Sequence, residues 1–244
     1  MAREMTPPYP QHGKTLIVIP AFNEEDNIAN VIEEIRSVLP DSGIAVINDG
    51  SSDGTTRCAE QSGATVLSHS FNLGYGAALQ TGYKYAQQKG YDILVQVDAD
   101  GQHDPSYIPE LIRPVAENRC DVAIGSRFLG HGHYEMPLAR KCGSLIFRWI
   151  TSFLIQQRIT DPTSGFRAIG RKAFAFCTRD VYPSDFPDAD VLVMLKKAGL
   201  SVMEVPVKMR PSLSNRTMHS GLNAVYYVFK MFLSIFVTVF REIL

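Results

Sequence analysis

An α/β fold, with a mostly parallel sheet flanked by helices, is predicted by three observations. Short apolar, β-branched runs alternate with amphipathic stretches along the first two-thirds of the chain. These runs are apolar throughout, as in Leu16-Ile17-Val18-Ile19, which suits strands buried on both faces. The polar clusters fall where the apolar runs end, at the edge where such sheets bind ligands. With 244 residues, 45% of them hydrophobic, the chain can form one such domain with appendages.

Strands are predicted at 15–19, 44–48, 64–67, 93–97 and 122–124, and helices at 28–39, 55–61, 76–88, 105–117 and 138–156. The domain is expected to span 14–210. It follows a tail, 1–13, that carries prolines and charges but no apolar stretch of the kind a signal peptide needs. Residues 211–244 divide into a polar loop and an amphipathic C-terminal stretch, 222–240, with no acidic group. At 1.5 Å per residue a helix over that stretch nears the thickness of a bilayer's hydrocarbon core. Asn223, Tyr227, Lys230, Ser234, Thr238 and Arg241 recur every three or four residues as a polar stripe, however, and a central lysine disfavours a lone spanning helix. The expectation is that this helix and the apolar segment 145–155, with its single Trp149, lie on a membrane surface, with helix pairing between subunits left open. Packing on the protein's own core is the alternative.

The net charge of −1 conceals an asymmetry: residues 1–126 carry −9 and residues 127–244 carry +8. The balance argues against a protein that coats nucleic acid. A basic half with long apolar runs suits phosphates or an anionic membrane surface. Cys58, Cys120, Cys142 and Cys177 lack paired or zinc-like spacing and read as reduced thiols.

Three acidic loops follow predicted strands: Pro20-Ala21-Phe22-Asn23-Glu24-Glu25, Asn48-Asp49-Gly50-Ser51-Ser52-Asp53-Gly54-Thr55, and Asp98-Ala99-Asp100-Gly101-Gln102-His103-Asp104. Asp98 and Asp100, one residue apart at a strand end, suit a hard cation such as Mg²⁺ or Mn²⁺ that bridges phosphate oxygens, and Gln102 is a third candidate ligand. A solvated turn would explain the same residues if they stood alone. Asp49 at its strand tip could accept a hydrogen bond from a nucleobase. Asn72-Leu73-Gly74-Tyr75-Gly76 is a glycine-rich start to a helix, whose amides could approach a phosphate or simply form a tight turn. It lacks the spacing of a dinucleotide-binding dehydrogenase.

Together these segments resemble glycosyltransferase family 2, enzymes of the GT-A fold, over about residues 14–210, and most closely the polyprenyl-phosphate glycosyltransferases that include dolichyl-phosphate mannose synthase. The resemblance implies that Pro20, Ala21, Asn23, Glu24, Asp49, Asp98 and Ala99 bind the nucleotide of a UDP- or GDP-linked sugar, and that Asp98 and Asp100 hold the cation. Gly125-Ser126-Arg127 and Asp161-Pro162-Thr163-Ser164-Gly165-Phe166-Arg167 match that subgroup's acceptor segments. The resemblance thus implies that Arg127, Arg140, Ser144 and Arg167 bind the acceptor phosphate, with Asp100, Asp161 and Arg127 catalytic. A lipid phosphate is already a competent nucleophile, so Asp161 is expected either to orient the acceptor or to act as a weak base. Inverting transfer to a polyprenyl phosphate at the cytosolic membrane face is the implied activity, with homo-oligomerisation left open. After Asp100 the sequence runs Gly-Gln-His-Asp, not Leu-Ser-His-Pro as in mannose synthases, which leaves the donor sugar and nucleotide unassigned. A soluble or polysaccharide acceptor and a non-catalytic membrane partner are the rival readings.

Overall fold

The computed structural model of the chain describes residues 13–130, 138–185, 187–210 and 222–241, with side chains from 145 and from 230 in the helices that open the second and fourth stretches. Seven strands, β1 (Thr15–Ala21), β2 (Gly43–Asn48), β3 (Thr65–Ser68), β4 (Ile93–Gln96), β5 (Val122–Ser126), β6 (Arg167–Gly170) and β7 (Val202–Pro206), form one sheet. Their order is β3-β2-β1-β4-β6-β5-β7. Only β6 runs against its neighbours, pairing Gln96 with Arg167 on one side and Ile124 with Arg167 on the other.

The α-helices among the described residues are α1 (Ile28–Val38), α2 (Thr55–Gln61), α3 (Tyr75–Gln88), α4 (Ile108–Ala116), α5 (Leu138–Ile155), α6 (Arg171–Cys177), α7 (Ala189–Lys197) and α8 (Leu222–Phe240). Consecutive residues of β1 point to opposite faces, and the core divides accordingly. Leu16 and Val18 join Ala45, Ile47 and Leu94 under α3, α6 and α7. Ile17 and Ile19 join Ile44, Val46 and Val95 under α1 and α4. Helix α1 buries Ile28, Val31, Ile32 and Ile35, one face at helical spacing. The helix predicted over 105–117 starts later, because Asp104 accepts the Ser106 N–H at 3.0 Å and holds Pro105–Tyr107 in a tighter 3₁₀ turn ahead of α4.

Helix α8 has the predicted bounds, and Lys230 and Ser234 of its polar stripe face the protein. Lys230 is ion-paired with Asp185, and Ser234 is hydrogen-bonded to the buried Asp190. The Lys197 ammonium donates to the carbonyls of Thr238, Val239 and Arg241 at 2.6–3.0 Å, capping the helix C-terminus. Met231 and Ile235 are buried with Phe147 and Ala189. The outward face is apolar, with Phe232, Leu233, Phe236, Val237 and Phe240 exposed, and α5 exposes Leu145, Ile146, Trp149 and Phe153. The rings of Phe147 and Phe232 lie 5.2 Å apart, and α7 packs against both helices. No helix among the described residues is long and apolar enough to cross a membrane.

Candidate functional site

The carboxyl ends of β1, β2, β4 and β5 and the beginning of the reversed β6 lie on one edge of the sheet. The first two acidic loops interlock there. Asn23, held at φ 56°, donates its N–H to Ser51 Oγ at 2.9 Å and accepts the Ser52 N–H at 2.9 Å. Glu24 N–H donates to Thr55 Oγ1 at 2.8 Å, and Glu25 accepts the Gly54 N–H at 2.7 Å where α2 begins. Pro20, Ala21 and Ala99 are buried and offer backbone atoms alone; the Ala21 carbonyl accepts the Asp49 N–H.

Asp49, the expected base contact, also has partners within the fold. It is 4% exposed, and its carboxylate accepts the N–H groups of Leu73 and Gly74 at 2.8 and 2.9 Å and contacts His69 Nδ1 at 2.7 Å. It anchors the glycine-rich loop. The amides of that loop are likewise taken, since Gly76 and Ala77 donate to the carbonyls of Asp185 and Ser184. A phosphate cradle is excluded for them, and the glycines have a different use. A Cβ at Gly76 would stand 2.2 Å from the Pro183 carbonyl oxygen, so the helix start can approach residues 183–185 only without a side chain.

Asp98 and Asp100 flank the buried Ala99 just beyond β4. Burial, and then the neighbouring Asp98 charge, raise the Asp100 carboxyl above its ordinary value. Two carboxylates crowded in this way repel each other, which is the setting a cation relieves. Gln102 is fixed through its backbone, with its N–H on Asp100 Oδ1 at 3.0 Å and its carbonyl accepting the Arg210 N–H at 2.8 Å. Among the described residues no group of three or more His, Cys, Asp and Glu comes together. The carboxylates of Asp98 and Asp100 and the amide of Gln102 are hard oxygen donors of the kind Mg²⁺ or Mn²⁺ takes beside oxygens from water and substrate phosphate.

Tyr75, His103 and Glu204 complete this edge, and sequence reasoning gave none of them a role. The Tyr75 hydroxyl donates to Asp98 Oδ1 at 2.7 Å; burial and the Asp98 charge push its phenol well above the ordinary range, so it stays protonated. His103 Nδ1 accepts the Asp98 N–H at 3.0 Å, and its ring stacks on Phe166 with centroids 4.7 Å apart. Glu204 accepts the N–H groups of Thr160 and Asp161 at 2.7–2.9 Å, while Thr160 Oγ1 lies 2.6 Å from Ser126 Oγ. Burial raises the Glu204 carboxyl against the lowering effect of those amides. A glutamate inside the apolar Val202–Pro206 and a lone histidine in an acidic loop were the available signals.

Asp161 is 0% exposed and forms a forked ion pair with Arg127, Nε to Oδ2 at 2.7 Å and Nη2 to Oδ1 at 2.6 Å. Its second oxygen also accepts the Arg127 N–H. A carboxylate engaged at both oxygens by a guanidinium is arranged to orient that arginine. This geometry does not suit a base. Gly165 brings the segment to the cation loop, since a Cβ there would come within 3.2 Å of Asp98 Oδ2.

Arg167, an expected acceptor-phosphate contact, likewise has partners within the fold. It is 2% exposed, donates from Nε to the Ser164 carbonyl and from Nη1 to the Pro187 carbonyl, and its Nη2 is buried without a hydrogen-bond partner. Its place on β6 opposite Gln96 directs it into the fold, so it ties loops together instead of meeting an open acceptor site. The side chains of Arg140 and Ser144, and the loop 211–220, lie outside the described residues.

A mostly parallel sheet with one reversed strand and an Asp-x-Asp loop at its carboxyl edge is the GT-A architecture of nucleotide-sugar transferases. The chain belongs to a particular branch of it, glycosyl transferase family 2, whose family model matches residues 16–176. It is 31% identical to the UDP-N-acetylglucosamine–dolichyl-phosphate N-acetylglucosaminyltransferase of Methanococcus voltae, over 79% of this chain and 84% of the relative. To the undecaprenyl-phosphate mannosyltransferase of Micrococcus luteus it is 30% identical, over 80% and 82%. The fold matches glucosyl-3-phosphoglycerate synthase from Mycobacterium tuberculosis, crystallised with Mn²⁺ and UDP-glucose, at a TM-score of 0.71 and 21% identity, covering 93% of this chain and 78% of that one.

Proposed function

We propose that the chain transfers a sugar from a nucleoside diphosphate to a polyprenyl phosphate at a membrane surface, with Asp98, Asp100 and Gln102 as the residues that hold Mg²⁺ or Mn²⁺. The carrying observation is the approach of the segment 161–167, whose Asp161 holds Arg127, to the Asp98–Asp100 loop: a Cβ at Gly165 would stand 3.2 Å from Asp98 Oδ2. The names of the relatives support a lipid phosphate acceptor.

The reaction forms a bond from an acceptor phosphate oxygen to the anomeric carbon and breaks the bond from that carbon to the diphosphate. Two anions must approach each other, so the task is largely electrostatic. A divalent cation at the acidic loop supplies charge neutralisation of the leaving diphosphate. Arg127, held in plane by Asp161 and bonded to Thr163 Oγ1, faces the incoming phosphate, and Glu204 keeps the Thr160–Asp161 backbone fixed beneath it. No strong base is needed, in accord with the engagement of both Asp161 oxygens.

The apolar stripes of α5 and α8 support a peripheral attachment. Trp149 and Phe240 are 71% and 72% exposed, and an aromatic face of this kind suits the interfacial region of a bilayer. The test is incubation with labelled nucleotide sugars, Mn²⁺ and undecaprenyl or dolichyl phosphate. Label that extracts with lipid from the wild type, and none from Asp100→Ala, is expected; no extractable label from any donor overturns the proposal.

A further inference from the structure

Asp98 is the terminus of a buried chain of hydrogen bonds that crosses the core. Tyr75 Oη lies 2.7 Å from Asp98 Oδ1, Gln96 Nε2 lies 2.9 Å from Tyr75 Oη, Tyr83 Oη lies 3.1 Å from Gln96 Oε1, and Tyr182 Oη lies 3.2 Å from Tyr83 Oη. Gln96 and Tyr83 are each 1% exposed.

The polarity of the chain follows from its end. An ionised carboxylate only accepts, so Tyr75 must donate to Asp98. Its oxygen then accepts from the Gln96 amide nitrogen, which turns the amide oxygen to Tyr83. Tyr83 must therefore donate to Gln96 and accept from Tyr182. Every link is satisfied in one direction alone, and that direction delivers a proton donor to Asp98.

The other side of Asp98 is held as well. His103 accepts the Asp98 N–H at Nδ1, so the neutral ring carries its proton on Nε2, which lies 3.4 Å from Asp98 Oδ2. Buried polar groups that cross an apolar core are costly unless fully satisfied, and phenylalanine and leucine would fill the same space without them. Gly165 leaves room beside the pair: a Cβ there would stand 3.0 Å from Tyr75 Oη.

We infer that Tyr75 is a positioning residue for the cation site: its hydroxyl fixes the plane of the Asp98 carboxylate before the cation arrives, held in its donating direction by the Gln96 amide, while Tyr83 and Tyr182 further back serve the core. This rests on reading Asp98 and Asp100 as cation ligands. A carboxylate oriented in advance loses less freedom on binding, and groups behind a metal ligand ordinarily change affinity by about 10- to 100-fold.

The test is titration of the full chain with Mn²⁺ alone, with free Mn²⁺ read by electron paramagnetic resonance and the metal-free thermal midpoint recorded beside it. Tyr75→Phe, which removes a single oxygen, is expected to weaken Mn²⁺ binding about tenfold. Tyr83→Phe, two links back, is expected to lower the metal-free midpoint while weakening Mn²⁺ far less. Wild-type Mn²⁺ affinity in Tyr75→Phe, or equal weakening by the two variants, overturns the inference, because either result makes the hydroxyl an ordinary core contact. Asp100→Ala separates the two levels: if it binds Mn²⁺ as the wild type does, the cation site itself has been misread.

Discussion

The forked pair of Asp161 and Arg127 makes a strong demand at the level of single residues. Removing one member of a buried pair leaves the other charge uncompensated, so Asp161→Ala is expected to cost about 3 kcal/mol, read from the urea midpoint. Asp161→Asn keeps an acceptor oxygen for Arg127. If Asp161 orients the arginine, part of the transfer rate survives in that variant; a general base would lose about 100-fold or more in kcat. Among the cysteines, burial pushes Cys120 up to about 11 and Cys177 up to about 12. Both should resist a thiol reagent at pH 8 in the native protein and react once it is denatured, with modified peptides identified by mass spectrometry. Asp98 and Asp100 were legible in the sequence because two carboxylates at the end of an apolar strand have few other reasons to be there, and Arg127 and Asp161 through motifs that resemble the family's acceptor segments. Tyr75, His103 and Glu204 were not, since their importance lies in partners remote along the chain: Tyr75 meets Asp98 across 23 positions, and Glu204 meets Asp161 across 43. Asp49 and Arg167 have partners within the fold that the sequence did not show.

Among the elements, α8 is the one whose orientation matters most. The sequence displays its two-sided character but not which side meets the protein, because Asp185, Asp190 and Lys197, which receive the polar stripe, sit on a segment and a helix that composition did not reveal. Strand β6 escaped notice as a four-residue run beginning with arginine, and β7 because a glutamate interrupts it. The long apolar runs of β1, β2 and β4, by contrast, announce themselves. Two substitutions separate the faces of α8. Lys197→Met removes the cap from three carbonyls and is expected to cost about 1 kcal/mol and to speed amide exchange in the last turns of α8. Phe236→Asp with Phe240→Asp should leave the thermal midpoint in place and weaken sedimentation with anionic vesicles.

At the scale of the whole molecule, stability is tied to pH through Asp190 and Glu204. Burial raises the carboxyl of each above its ordinary value, 3.8 and 4.5, against hydrogen bonds that lower it. The folded chain therefore holds protons that the unfolded chain has released, and their contribution to stability falls as pH rises from the ordinary carboxylate range through the raised values. Asp190→Asn should flatten this slope in urea titrations between pH 4 and 7. The reversed direction of β6 has a consequence for chimeras. Because β5 arrives at the catalytic edge and β6 departs from it, residues 127–166 form an excursion that begins and ends there, carrying Arg127, α5 and Asp161, while the acidic loops belong to strands outside it. Such a segment is a cassette. On the proposed division of donor and acceptor sites, a chimera joined at Ser126 and Arg167 that keeps Gly165 and Phe166, which touch Asp98 and His103, is expected to keep its donor and adopt the acceptor of its new parent.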